Sequence, residues 1–116
     1  MAKDAACLFC RIANRSLPAE IVAETDGLLA FKDINPQAPT HLLIIPTEHI
    51  PALADASEAD TSLMGRALQF ANRLARQYQV QAGYRVVINS GSQAGQSVFH
   101  LHLHLLGGRT FGWPPG

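Results

Sequence analysis

The sequence has no excess of either charge, since nine Lys and Arg stand against nine Asp and Glu in 116 residues. With no basic cluster it lacks the positive field that sequence-independent binding to phosphate backbones requires, so general nucleic-acid binding is disfavoured. It also lacks long apolar runs. Stretches such as Leu42 to Pro46 fall far short of the roughly 20 residues that cross a bilayer, and no membrane span is expected. Asp4 and the early cysteines occupy the place of the basic region, apolar segment and cleavage site of a secretory leader, so a cytoplasmic location is expected. Cysteine is scarce. Cys7 and Cys10 are the only two, and in a reducing compartment that spacing suggests half a metal site or a thiol pair before a structural disulfide.

Repeats, low-complexity tracts and Ser/Gly-rich linkers are missing as well. With 47% apolar and 16% charged residues, the chain suits one compact domain over 1–116, with loose tails at 1–6 and 110–116. So small a domain would gain stability from a contact surface on a second copy.

What is present reads as alternating short elements. Leu8, Phe9, Ile12 and Leu17 have roughly helical spacing up to Pro18, giving a short first helix. Ile21 to Glu24 and Leu28 to Lys32 flank Thr25-Asp26-Gly27, a tight hairpin. After the proline-rich loop Asn35 to Pro39, Leu42 to Ile45 reads as a buried strand that leaves His41 at its edge. Ser57 can cap a long amphipathic helix whose apolar face is Met64, Leu68, Ala71, Ala75 and Tyr78. Tyr84 to Asn89 and Val98 to Leu106 supply two further strands. Five strands joined mostly by short turns, with one long and one short helix, imply an α+β fold around a mostly antiparallel sheet.

His100, His102 and His104 alternate with Leu101, Leu103 and Leu105. On a strand, that alternation puts the imidazoles on one face and the leucines on the other, with about 6.6 Å between successive histidines. Three histidines on one face of an apolar strand would be costly without partners. They can bind zinc with an open fourth position, which would make a catalytic zinc hydrolase sensitive to chelators. The preceding Gly95-Gln96-Ser97 favours another chemistry, because backbone N–H groups of a glycine-containing loop beside a hydroxyl suit phosphate oxygens. A bare imidazole nitrogen attacks phosphorus well, and a neighbouring histidine can hold a proton for the leaving group near neutral pH. Phosphoryl or nucleotidyl transfer follows without an obligatory metal.

The run His100-Leu101-His102-Leu103-His104-Leu105-Leu106 resembles the signature of the histidine triad superfamily of nucleotide hydrolases and transferases. The segment Phe31 to His41, the run Gly95-Gln96-Ser97-Val98, and the ending Gly107-Gly108-Arg109 with Trp113-Pro114-Pro115-Gly116 resemble its Hint branch. The resemblance implies a homodimer whose two five-stranded sheets join, acting on purine nucleoside phosphoramidates such as adenosine 5'-phosphoramidate or adenylated lysine. It implies His102 as the nucleophile, His104 and Ser97 as contacts of the phosphate and leaving nitrogen, and His41 as a supporting histidine. Asp33 matches the carboxylate that holds the ribose hydroxyls, and Asn89 and Gln96 match polar neighbours of the phosphate beside Gly95. Leu8, Phe9, Ile12, Phe31 and Ile34 suit an apolar slot for the base, and Trp113 can reach the partner's site. Ala94 and Asn35 depart from the pattern, where glycine and serine are frequent, without removing a reacting group.

Cys7 and Cys10 then find partners in His49 and His100, completing a tetrahedral set for a structural zinc ion. Some bacterial members with this cysteine pair are similar in binding zinc so. A thioredoxin-like redox pair is disfavoured because no strand precedes the motif. Two other activities remain open: hydrolysis of dinucleoside polyphosphates, and a nucleotide-binding scaffold in which hydrolysis is incidental.

Overall fold

The structure, a computed structural model, describes residues 4–116, so the first three residues of the expected N-terminal tail lie outside it. Helix α1 (Leu8–Ala13) is followed by strands β1 (Ile21–Thr25), β2 (Leu28–Lys32) and β3 (Thr40–Pro46). Helix α2 (Thr61–Gln77) leads to β4 (Tyr84–Val87), and β5 (Leu103–Gly107) comes last. The sheet order is β1-β2-β3-β5-β4 and every neighbouring pair is antiparallel, which is the expected α+β class. Among the described residues, no helix is long and apolar enough to cross a membrane.

Local chemistry explains most of the elements. β1 and β2 turn at Asp26-Gly27, where Gly27 has φ +74°, the left-handed conformation a two-residue hairpin needs and glycine adopts freely. Ser57 does act as a cap, although it caps a single 3-10 turn, Glu58–Asp60, from which α2 then grows. Its hydroxyl accepts from the Ala59 N–H while the Asp60 carboxylate accepts from the Ser57 N–H.

The sheet separates two apolar layers. Leu28, Ala30, Leu42, Ile44, Leu103 and Leu105 pack under α2, while Leu29, Phe31, Leu43 and Ile45 pack against Phe9, Cys10 and Ile12 of α1. Leu105 is fully buried at the centre of the first layer. Leu105→Ala is expected to cost about 2–5 kcal/mol, measured as a lower urea midpoint with an unchanged slope; a shift under about 1 kcal/mol would contradict this packing.

Three sequence expectations need correction. α2 buries Ala67, Phe70, Ala71, Leu74 and Ala75, while Leu68 is half exposed. The stripe through Ala67, Phe70 and Leu74 has the same helical spacing as the expected one, and the bulk of Phe70 and Leu74 turned it inward. α1 ends at Ala13, five residues before Pro18, with Arg15 at φ +68° just beyond. The last two strands are shorter than expected: β4 stops at Val87, and β5 starts only at Leu103. Residues 98–102 are irregular because the Leu101 N–H goes to the Ile50 carbonyl at 2.6 Å, outside any strand pairing.

Candidate functional site

Of the three clustered histidines, only His104 sits on a regular strand. Leu103 and Leu105 point into the α2 layer, so His104 points to the other face, where it pairs in register with Leu43 of β3. His41 lies on that same face of β3, and its Nε2 is 2.9 Å from His104 Nδ1. His102 stacks edge-on against both His104 and Phe9, with ring centroids 5.0 and 5.2 Å apart. His100 instead turns toward the cysteines, its Nδ1 lying 3.2 Å from Cys7 Sγ. The expected row of three is therefore divided into His102 and His104 on one side and His100 on the other.

Backbone groups, whose donor or acceptor roles cannot change, set the ring tautomers. His102 Nδ1 faces the His100 carbonyl at 2.7 Å, so Nδ1 carries the hydrogen and Nε2 keeps its lone pair. His100 Nε2 faces the Pro46 carbonyl at 2.7 Å, which leaves Nδ1 bare toward the cysteines. His41 Nδ1 accepts from the Gln37 N–H at 3.0 Å. Its Nε2–H is then donated to His104 Nδ1, so the hydrogen of neutral His104 sits on Nε2. A bare nitrogen on His102 thus stands beside an N–H on His104.

Burial disfavours the charged forms of His41 and His104. It lowers His104 to about 4, assisted by His102 and His41 and opposed by Asp33. Burial lowers His41 too, against the pull of Asp33, whose Oδ2 is 3.4 Å from His41 Nε2. Desolvation of the charged form therefore favours neutral His104 at neutral pH.

The histidine pair opens into a cleft of about 480 Å³ between α1 and the sheet, lined by His102, His104, Ser97, Asp33 and apolar side chains. All five residues expected to form an apolar slot, Leu8, Phe9, Ile12, Phe31 and Ile34, line it. Ile34 is fully exposed and Leu8 nearly half exposed, so among the described residues the rim offers uncovered apolar surface. Asp33 stands at one end with Oδ1 accepting from the Asn35 N–H at 2.8 Å. Leu17, Pro18, Ala19, Lys32, Leu43 and Val98 also line the cleft and were missed. The strand parity that Leu43 shares with His41 was the available signal.

The loop before the histidines holds three expected residues differently. Gly95 adopts φ +97° at the end of a Ser92–Ala94 turn, and neither it, Gln96 nor Asn89 lines the cleft. Gln96 is buried with its amide committed to backbone: Oε1 accepts from Gly91 N–H at 2.8 Å, and Nε2 donates to the Pro51 and Val98 carbonyls. Its side chain thus braces the loop that precedes the histidines. Asn89 is half-buried beyond the end of β4.

Cys7, Cys10, His49 and His100 bring four donor atoms within 4.8 Å of one another, a group that can hold a metal ion. The two cysteines are free thiols. Tetrahedral zinc, with bonds near 2.3 Å to sulfur and 2.0–2.1 Å to nitrogen, separates S and N donors by about 3.5 Å and two N donors by about 3.4 Å. The S–N separations here are 3.2, 3.4 and 3.5 Å, and the two Nδ1 atoms are 3.3 Å apart. The outer contacts agree. His100 Nε2–H is held by the Pro46 carbonyl, and the Cys10 N–H donates to Cys7 Sγ at 3.3 Å. Burial lowers His100 to about 4 and raises the Cys7 thiol, so a cation entering at neutral pH meets a bare imidazole and displaces a thiol proton.

Comparison with known proteins places these features in a family. Residues 14–111 match the model of the HIT domain. An uncharacterized HIT-like protein of Synechocystis sp. is 50% identical over 116 residues, all of both chains. A crystal structure of a HIT family hydrolase from Legionella pneumophila Philadelphia 1 superposes with a TM-score of 0.93 at 51% identity, covering 95% of this chain and 99% of that one. A histidine triad protein from Clostridium difficile gives 0.91 at 38% identity, over 95% and 96% of the two chains.

Proposed function

Because this chain belongs to the HIT domain family, we propose that it is a nucleotide hydrolase that cleaves the P–N bond of purine nucleoside 5'-phosphoramidates through a nucleotidyl-histidine intermediate. One observation carries the reading: the carbonyl of His100 fixes the hydrogen of His102 on Nδ1 and leaves Nε2 bare in the cleft beside His104. The Legionella relative is named a HIT family hydrolase, in agreement with a hydrolytic role.

In the first displacement, His102 Nε2 bonds to the α-phosphorus as the bond from phosphorus to the amine nitrogen breaks. Positive charge grows on the imidazole, and its Nδ1–H bond to the His100 carbonyl strengthens as it does. The leaving nitrogen takes a proton as it departs. That proton comes from solvent water, while neutral His104 donates its Nε2–H as a hydrogen bond to the departing nitrogen or to a phosphate oxygen. Ser97 at the cleft wall offers a hydroxyl to a phosphate oxygen. In the second displacement water attacks phosphorus and gives up one proton to solvent, the P–Nε2 bond breaks, and nucleoside monophosphate is released with neutral His102 restored.

The base occupies the apolar slot of Phe9, Ile12, Phe31 and Ile34, and Asp33 accepts from the ribose hydroxyls. Asp33→Ala is expected to weaken AMP binding by about tenfold or more, since bonds to a charged group contribute about 1.5–3 kcal/mol each. Titration calorimetry measures this; an unchanged Kd would remove Asp33 from the ribose site. Comparing turnover of adenosine 5'-phosphoramidate with that of a diadenosine polyphosphate tests the substrate class, and a preference for the latter would overturn it.

The same reading includes a structural zinc ion on Cys7, Cys10, His49 and His100, which would supply a cross-link and no reacting group. It includes a single domain over 1–116 in the cytoplasm, with no membrane or general nucleic-acid partner. It also includes a homodimer with sheets joined. In support, β4 ends one side of the sheet, and Arg85 of β4 donates to the Gly112 carbonyl at 2.7 Å. That contact tethers the segment just before the exposed Trp113 to the edge strand.

A further inference from the structure

Gly107-Gly108-Arg109 closes β5 at a crowded point. A Cβ on Gly107 would lie 2.7–2.9 Å from Val80, and one on Gly108 would lie 2.9 Å from Pro39 Cβ, with φ at +92° as a second obstacle. Gly107 therefore lets the strand end tight against Val80, and Gly108 lets the chain press against Pro39 and turn there. The turn delivers Arg109, whose Nε donates to the Gln37 carbonyl at 2.9 Å. Its guanidinium lies 4.3 Å from the centre of the Phe111 ring and donates to the Thr110 carbonyl. The amide of the same residue, Gln37, donates to His41 Nδ1 at 3.0 Å, and His41 Nε2 meets His104 Nδ1 at 2.9 Å.

We propose that Arg109 is a positioning residue which, by gripping the carbonyl of Gln37, holds the amide that sets the tautomer of His41 and through it that of His104. The inference rests on the reading of His104 as a donor to the transferred phosphoryl group or its leaving nitrogen. Gln37 is on an exposed loop, and with its carbonyl released the residue is free to rotate its amide away. The Nδ1–H tautomer of His41 then becomes accessible, opposed only by the Asp33 carboxylate 3.4 Å from Nε2. The Nδ1–H form presents a bare Nε2 to His104 Nδ1, which must take the hydrogen in turn, and this strips Nε2 of His104. A donor aimed at the phosphate becomes a lone pair that repels it.

Ring-nitrogen NMR of 15N-histidine-labelled full-length protein reads each tautomer directly. The wild type should give one tautomer at His41 and at His104. Arg109→Ala should give averaged ring shifts at both, with His102 unchanged. Its kcat for adenosine 5'-phosphoramidate should fall about tenfold with KM within about twofold, as expected when a group orienting a reacting side chain is lost. Arg109→Lys, which keeps a donor for the Gln37 carbonyl, should restore the shifts and most of kcat. Arg85→Ala removes the other anchor of the tail without touching Gln37 and should leave the His41 and His104 tautomers as in the wild type. Unaltered shifts in Arg109→Ala, or equal averaging in Arg85→Ala, would overturn the proposal. A wild type that does not turn over the phosphoramidate would instead defeat the functional reading, with the ring shifts still deciding whether Arg109 sets the tautomers.

Discussion

His102→Ala is expected to reduce kcat for adenosine 5'-phosphoramidate by about 10⁴-fold or more while leaving the Kd for AMP within a few fold. The size follows from removal of a nucleophile that nothing nearby replaces, a loss that costs other covalent catalysts about 10⁴ to 10⁶ in rate. His104 cannot substitute for it, because its Nδ1 faces His41 and its Nε2 carries the hydrogen. His100 cannot either, since its Nε2 is spent on Pro46 and its Nδ1 faces the cysteines. Binding should survive because Phe31, Ile34 and Asp33 line the cleft independently of that ring. Rapid quenching of the wild type should trap a nucleotidyl mass on His102, and stereochemistry at phosphorus should be retained through two inversions. A variant with near-normal turnover, or net inversion in the wild type, would refute the covalent route.

What could be seen in the sequence was the local chemistry. Asp26-Gly27 marked the first hairpin, Ser57 marked a helix start, and the pattern around His104 placed its flanking leucines in the core, because turns, caps and alternation depend on neighbours in the chain. Strand geometry was extended too far, to His100 and His102, because a bond from Leu101 to Ile50 across the fold ends the regular ladder. The bracing contacts of Gln96 were hidden for the same kind of reason. Its polarity suggested a phosphate contact, whereas three backbone groups from separate turns claim its amide. Arg109 and Gln37 are 72 positions apart, and nothing in either residue's local context announces that they meet.

If the proposed zinc ion occupies the Cys7, Cys10, His49 and His100 group, chelating it is expected to lower the melting temperature while sparing most of the turnover. A ligand present at a thousand times its Kd stabilises the folded state by about 4 kcal/mol, which for a chain of this size is a loss of roughly 10–20 °C. Cys7→Ser should bind less than one equivalent of zinc and melt with the chelated protein, with no further response to chelator. The chelated fold should persist, because without a cation His100 is neutral, held near 4 by burial, and the raised Cys7 thiol keeps its proton. Neither of these two groups then strands a charge in the core. Four protein donors close a tetrahedral shell and leave no position for substrate, so the ion's route to the chemistry is the His100 peptide, whose carbonyl holds His102. That peptide is anchored a second time through His100 Nε2 and Pro46, so chelation should lower kcat far less than His102→Ala does. Turnover abolished by chelator in a protein that still melts cooperatively would transfer the reaction to the metal, whereas metal-free protein with an unaltered melting curve would end the structural-ion assignment.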